Sequence, residues 1–599
     1  MLRQFSKNAL FLGCLIGMLL LGAASPTYAQ QGGPTPSPLS PGAPQDTFRS
    51  YLPMVARPSL YDLTVDFIEM TQASQTNSNS VLLVAGRPTV ARIYAHTNSS
   101  LSASGVTVSL SGTRGGAPLA GSPLTSGPGT VPVGWLRGDI NTSFNFTLPA
   151  SWLSGNVTLE ARVDSTNVIL ERNESNNRLS ITRAFNSVPA LDLMIVPIRY
   201  HHEGDGRTYE PPSSTYLGPF LKDMFPVGAV NATRHASYYY SGDLSEFNSW
   251  VALLDEMDAL KYVEAAPPSR VYYGLIPTQL AGGDSWWYGG IVGFGWVGKR
   301  AAIGLTDLSP WVNGGLTAAH EIGHNMWRLH AACGEPLPGN LDPTYPYPGG
   351  MIGQYGLKIL GVNTFQVFPV TYPDVMSYCE PAWISDYNYL GLYDDQQANG
   401  APPSSGPLTS GLWVRAGIGE GGEVTLKPFY ALQGWADPQA GGGEYLAEFL
   451  DPSGKVISTQ PMRVLHAEEP GIQARAISAI LPLPAASFTS LRLVQDGQTV
   501  AEQSLSSLDP SAAPGQPTPA LEMQPSVNGP VLQWGMPEVP AIVRYTTDGG
   551  QTWTGLGVDL LGGELAITPE TLPQGNLEFQ VILSGTLTNP LSLSWENAN

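Results

Sequence analysis

From Tyr61 to Phe185 apolar residues alternate with polar ones in short runs, among them PTVARIY (88–94), VTVSL (106–110), FNFTL (144–148) and VTLEARV (157–163), separated by Gly, Ser and Asn turns. A period of two turns one side of each run toward a core, which predicts a β-sandwich over residues 59–186. The pattern then changes. LDLMIVPI (191–198) is a continuous apolar run, a buried strand, whereas in SEFNSWVALLDEMDAL (245–260) Phe247, Trp250, Val251, Leu254 and Met257 recur at helical spacing. Three more strand-like runs follow, RVYYGLIP, GIVGFGWVG and RAAIGL. Mixed strand and helix signals predict an α/β domain with a twisted mixed sheet over residues 187–400.

APPSSGP (401–407) reads as a linker. Beyond it LWVRA, EVTLKPF, EYLAEFLDPSGKVIS and LRLVQDGQTVAEQ alternate again, predicting a second sandwich over 401–508. A Pro-rich joint (509–520) leads to a small β-domain over 521–599. There YTTDGGQTW (545–553) matches the Asp-box, a hairpin pattern seen in bacterial sialidases and other β-proteins. A single copy is read as a turn device, with a glycan-active enzyme kept as a different reading.

The start of the chain is patterned for export. Arg3 and Lys7 precede an apolar run from Ala9 to Ala24 and a Thr27-Tyr28-Ala29 cleavage site, so residues 1–29 are expected to be a signal peptide and the protein secreted and extracellular. A membrane anchor takes roughly 20 apolar residues, more than this run offers, so no stable membrane insertion is expected. Residues 30–58, with GGPTPSPLSPGAP, are too poor in apolar side chains to pack and read as a Pro-rich leader.

Composition narrows the partners. The formal charge is −20, and loss of Arg3 and Lys7 with the signal makes the mature chain more acidic. No Lys/Arg cluster offers a face for phosphates, which excludes a nucleic-acid partner. Cys333 and Cys379 are the cysteines left after the signal, and in an oxidising compartment the pair is most simply a disulfide; two reduced thiols are the other possibility.

The chain has 8 histidines, and three fall within HEIGHNMWRLH (320–330). Residues four apart on a helix are offset by about 40°, so His320 and His324 project from one face, one turn apart, and can share an ion. His330 joins them only if the helix breaks after His324. A straight helix would carry it roughly 15 Å along the axis, whereas ligand nitrogens on one zinc lie within about 4 Å of each other. Three histidines leave the fourth zinc position to water, the arrangement of a catalytic site, and Glu321 is placed beside the metal to take a proton from that water.

HExxHxxxxxH resembles the long zinc signature of the metzincin endopeptidases, HExxHxxGxxH, and PDVMSYC (373–379) is similar to their methionine turn. The resemblance implies a metzincin-like α/β catalytic domain flanked by all-β sandwiches, a zinc ion (Zn2+), an apolar floor at Met376, and a zinc-ligating, oxyanion-binding role for Tyr378. One departure stands out: the family's glycine is Trp327 here. Because left-handed backbone is costly for tryptophan, the turn is expected to be built differently or to lie at a neighbour such as Asn325. A Cys333–Cys379 bond would fasten the loop carrying His330 to the segment carrying Met376.

The expected chemistry is zinc-dependent endopeptidase action, with Glu321 as general base, on a protein or glycoprotein substrate lying extended along GIVGFGWVG (290–298). DSWWYGG (284–290) and YPYPGGMIGQYG (345–356) are placed at the cleft border, their aromatics either holding substrate or packing a long loop. ERNESNN (171–177) resembles the closing motif of bacterial cell-adhesion-related immunoglobulin-like domains; its acids either hold Ca2+ or form a solvated turn. A monomer is expected. The alternative function is an adhesin or glycan-binding module whose protease-like domain is inactive.

Overall fold

The computed structural model describes residues 61–278, 291–306, 313–334, 340–402, 408–435, 443–469, 472–504, 520–527, 529–587 and 589–598. The readings of residues 1–29, 30–58 and 284–290, of most of the 401–407 linker and of the Pro-rich joint up to residue 519 lie outside them.

Two sheets face each other over residues 61–186. One holds Leu63–Thr71, Val90–Thr97 and Phe144–Thr147; the other is built on Arg178–Asn186, Gly155–Val163 and Val108–Arg114. Along Gly155–Val163 the side chains of Val157, Leu159, Ala161 and Val163 are buried while Thr158, Glu160 and Arg162 are less so, the period-two alternation expected of a half-buried strand. At the closing motif Glu171 turns inward: its carboxylate accepts from the backbone N of Leu63 at 2.6 Å and from Asn177 Nδ2 at 2.8 Å, tying the last turn to the first strand.

The next sheet runs in the order Arg207–Tyr209, Leu191–His202, Val271–Ile276, Ala301–Leu305, Gly293–Gly295. The three central strands are parallel, and Gly293–Gly295 pairs antiparallel at the end. Among the described residues, four helices belong to this region: α1 (Leu217–Met224), α2 (Phe247–Val263), α3 (Gly314–Asn325) and α4 (Asp386–Asn399). Alternate strand residues divide between two cores. Tyr273, Leu275 and Ala302 pack with α1 and α3, while Tyr272, Ile276 and Ile303 pack with Trp250, Leu254 and Met257 of α2. The helix starts at Asn313, whose side chain accepts from Leu316 N at 3.1 Å, satisfying one of the open amides of the first turn of α3.

The fold class expected from the sequence is corrected here. Among the described residues the fold is mostly β, 44% strand against 13% helix, with its strands divided among many small sheets, and a self-contained metzincin-like α/β catalytic domain is not what they build. The helical periodicity of 245–260 does form α2, but the segments around it complete themselves with partners from elsewhere. Ser74–Gln75 of the first sandwich pairs with Tyr355–Gly361, and Trp383 Nε1 donates to Ala73 O at 2.9 Å. Buried Arg87 donates to the carbonyls of Lys222, Asp223 and Phe225 at the end of α1. Sequence periodicity reports which face of a segment is buried, not against which element, and that is where the expectation failed.

After the linker a further sandwich encloses Leu412, Val414, Phe449, Ile477 and Leu493, and the last β-domain encloses Trp534, Val543, Phe579 and Val581. Both dock on α2, where Tyr262 and Val263 share one apolar cluster with Trp413, Tyr430, Ile542 and Ile582. Arg415 pairs with Asp559 at 2.6 Å and Lys427 with Asp255. Pro58–Asn599 accordingly falls in one compact unit. In the Asp-box, Asp548 accepts from the backbone N of Gln551 and Thr552 and from the Thr552 hydroxyl, so its oxygens are engaged within the turn. Among the described residues, no helix is long and apolar enough to cross a membrane.

Candidate metal centre

His320 and His324 lie one turn apart on the buried helix α3, and their Nε2 atoms are 3.1 Å apart. The Nε2 of His330 lies 3.0 Å from that of His324, and the ligand atoms of all three rings fall within 4.8 Å of one another. Two backbone carbonyls orient the helical pair: Val375 O accepts from His320 Nδ1 and Arg328 O from His324 Nδ1, each at 2.8 Å. A carbonyl oxygen only accepts, so each Nδ1 carries a proton and each Nε2 of a neutral ring is left with a lone pair. Burial pushes His320 down to about 4 and His324 well below its ordinary value, the latter helped by the neighbouring His330 and His320. The neutral helical pair, with Nε2 lone pairs 3.1 Å apart, cannot hydrogen-bond to each other, and with His330 Nε2 beside them the donor set fits a divalent cation such as zinc, whose imidazole bonds are about 2.0–2.1 Å.

The chain reversal that returns His330 is built at Trp327 itself, which corrects the expectation of a displaced turn. Trp327 has φ 63°, and Asn325 is the last helical residue, its Nδ2 donating to Trp296 O and Ala301 O. Trp327 N donates to His324 O and Arg328 N to Gly323 O, both at 3.0 Å, the bond pair of a Schellman motif with tryptophan where glycine is usual. Beyond the turn, His330 bridges to Leu341, with Asp342 N donating to His330 O at 2.9 Å.

The methionine segment lies under this loop. Ala331 N donates to Met376 O and Tyr378 N to Cys333 O, and the Cys333–Cys379 disulfide, with Cα atoms 5.6 Å apart, closes the same pair of segments. Met376 is buried against α3: a Cβ on Gly323 would stand 2.4 Å from its sulfur. The ring of Tyr378 lies 5.0 Å from that of His330 and 5.9 Å from that of His320. Sequence reasoning missed Asp374. Fully buried, it accepts from Met376 N, Ser385 N and Asn388 Nδ2 at 2.7–2.9 Å, shaping the turn that presents Val375 O to His320. Burial raises its carboxyl above the usual range, against the pull of those donors. A charged residue inside an apolar stretch was its only sequence signal.

Glu321 is not among the converging nitrogens. Its carboxylate rests against the end strand: a Cβ on Gly293 would stand 2.5 Å from Oε1, and one on Gly295 3.1 Å from Oε2. Residues 293 and 295 share one face of the strand, and the absence of side chains there makes room for the acid. The G-x-G spacing was legible in GIVGFGWVG, but its partner was not.

Two aromatics of 345–356, Tyr345 and Tyr347, are engaged through their hydroxyls. Tyr345 donates to Met351 O and Tyr347 to Asp386, both at 2.7 Å, while Tyr387 of α4 donates to Asp342 at 2.8 Å. These bonds favour loop packing over a substrate-holding role.

A family model described as CARDB matches residues 90–181, the stretch that the ERNESNN motif closes. No curated protein matches the chain. Among solved structures, the chain is similar to the CARDB domain of a Pyrococcus furiosus protein in complex with di-metal ions, at 14% identity over 22% of this chain and 91% of that one, TM-score 0.15. It is also similar to a domain of a putative cell surface protein from Methanosarcina acetivorans, at 19% identity over 21% and 93%, TM-score 0.15. A glycosyl hydrolase family 2 member from Bacteroides cellulosilyticus aligns over 88% of this chain and 79% of that one at 9% identity, TM-score 0.15. Scores at this level say nothing about the chain as a whole. The matched family is a β-domain, in keeping with the strand-rich fold of those residues.

Proposed function

We propose that this chain is an extracellular or cell-surface β-domain protein that carries a zinc-dependent peptide-bond hydrolysing centre, acting on extracellular proteins or glycoproteins. The observation that carries the reading is the convergence of three buried imidazole nitrogens, two of them with their opposite nitrogens held by backbone carbonyls, with Glu321 buried on the same helix. The long zinc motif and the methionine segment, similar to those of metzincin endopeptidases, support it.

His320, His324 and His330 would hold the ion, and a bound zinc supplies a Lewis acid that polarises a carbonyl and acidifies a water. Glu321, seated against Gly293 and Gly295, takes the proton of the attacking water on a carboxylate oxygen and returns it to the leaving amine. Tyr378, its ring beside His330, donates its phenolic hydrogen to the oxyanion. Gly293–Gly295, the expected seat of an extended peptide, is the end strand of its sheet but is buried at all three residues. Met376 and the disulfide keep the floor and the His330 loop in register.

A second reading is an adhesin-like protein in which the same region binds without cleaving, and it is favoured by the CARDB match over 90–181 and by the strand-rich composition. Digestion of casein by the purified chain separates the two. Cleavage lost both in Glu321→Ala and on chelation supports the hydrolase; stoichiometric zinc with no cleavage of any protein substrate supports the binding module.

A further inference from the structure

We infer that Arg463, from the sandwich that follows the metal centre in sequence, is a positioning residue for the third histidine and acts through Trp327. The inference rests on the metal-centre reading above. Its starting point is the backbone of Trp327, whose φ of 63° an L-residue other than glycine disfavours by roughly an order of magnitude. Every path from α3 to His330 passes through that residue, so whatever stabilises its left-handed form brings the third ring back to the other two.

Three contacts do so. Trp327 N donates to His324 O, and Gly298 N donates to the same oxygen at 2.9 Å, which fixes the strand turn and the helix end to one ligand residue. The indole then lies flat against Gly298, where a Cβ would come within 2.3 Å of Cε2 and Cζ2. Arg463 touches both: its guanidinium carbon is 4.8 Å from the indole centroid, and its Nη2 donates to Gly298 O at 3.2 Å. Gly298, Trp327 and Arg463 thus form one cluster of backbone, ring and cation in which one arginine holds both partners of the turn. Nearby, Val297 N donates to His466 O at 2.8 Å, so the strand Leu465–Glu469 reaches the same edge. Removing Arg463 exposes an indole already 48% accessible and lets the extended conformer of Trp327 compete. Ala331 and the disulfide still hold the far side of the loop, so the loss is partial.

The test is Co2+ titration of the full chain, read by the d–d absorption of the bound ion. Arg463→Ala weakens Co2+ binding by roughly three- to tenfold, and Arg463→Lys, which keeps the charge without the planar guanidinium, falls between alanine and wild type, so the ordering remains readable if the alanine variant is also destabilised. Trp327→Gly supplies a residue that takes the left-handed form unaided, and in that background Arg463→Ala changes affinity by less than about twofold. Unchanged affinity in Arg463→Ala, or an equal loss in both backgrounds, overturns the positioning role while leaving the metal centre standing. A wild-type chain that gives no Co2+ spectrum overturns the metal reading and the positioning role together.

Discussion

The Nδ1 atom of His320 donates to the carbonyl oxygen of Val375 at 2.8 Å, so the residue just before Met376 decides which nitrogen of the first helical histidine faces its partners. Helix and methionine segment are therefore parts of one device. The turn at 374–376 sets the tautomer, and the tautomer sets the direction of the lone pair.

Zinc is expected to stabilise the fold through three ring nitrogens. At zinc about a hundredfold above its Kd the wild-type chain gains about 2.7 kcal/mol. His330→Ala leaves two ligands and loses most of that gain. Denaturant unfolding with and without zinc measures both, and a wild-type midpoint indifferent to zinc contradicts the prediction.

Gly293→Ala is expected to separate metal binding from catalysis. The added Cβ would stand 2.5 Å from Glu321 Oε1 and 2.6 Å from Thr317 Cγ2, so the carboxylate must move, whereas the three nitrogens keep their places. Peptidase activity falls by about a hundredfold or more, in the range seen when a general base is displaced, and zinc stoichiometry stays at the wild-type value. Metal analysis alongside a peptide assay checks both halves; full activity in Gly293→Ala would sink the assigned seat of Glu321.

Opening the disulfide is expected to cost stability. Cys333 and Cys379 are 46 residues apart, and closing a loop of that size stabilises by about 4 kcal/mol in the chain-entropy model. Cys379→Ser therefore unfolds at lower denaturant than wild type, and its Co2+ affinity falls because the His330 loop is freed from the segment carrying Met376. Equal midpoints for wild type and variant would contradict this.

Stability is expected to fall as pH rises through the neutral range, partly through Glu256 on α2. Loss of solvent raises its carboxyl to about 8, with Asp559 and Asp255 adding to the rise and Tyr238 and Lys427 opposing it. Between the unfolded carboxylate range and pH 8 the folded chain holds a proton that the unfolded chain has released. Stability therefore declines with rising pH, by at most about 1.4 kcal/mol per unit from this group, and levels off above about 8. Glu256→Gln removes that slope, so the midpoints of the two proteins draw apart between pH 5 and 8 in denaturant titrations. Parallel curves would exclude the assignment.

Much of the candidate site was legible in residues close together in sequence. The pairing of His320 with His324 follows from helical spacing alone, and the need for a break before His330 follows from the rise per residue. Asp374 and the glycine seat of Glu321 were not legible, because their roles lie in contacts with distant segments. Trp327 was misjudged for the same reason. Its backbone cost follows from the residue type, but the Gly298 and Arg463 contacts come from a turn before α3 and a sandwich well after it.

By itself, the sequence determined the local chemistry: which runs are strands, which helix carries two imidazoles on one face, and which acid follows the first of them. Tertiary structure decided everything that depended on the chain's return, including the tautomers set by Val375 and Arg328, the room left for Glu321, and the mostly β assembly that replaced the expected α/β domain. The physical reason is one of range. Periodicity and spacing record forces acting within a few turns of backbone, whereas a coordination sphere is closed by segments whose meeting leaves no period in the sequence.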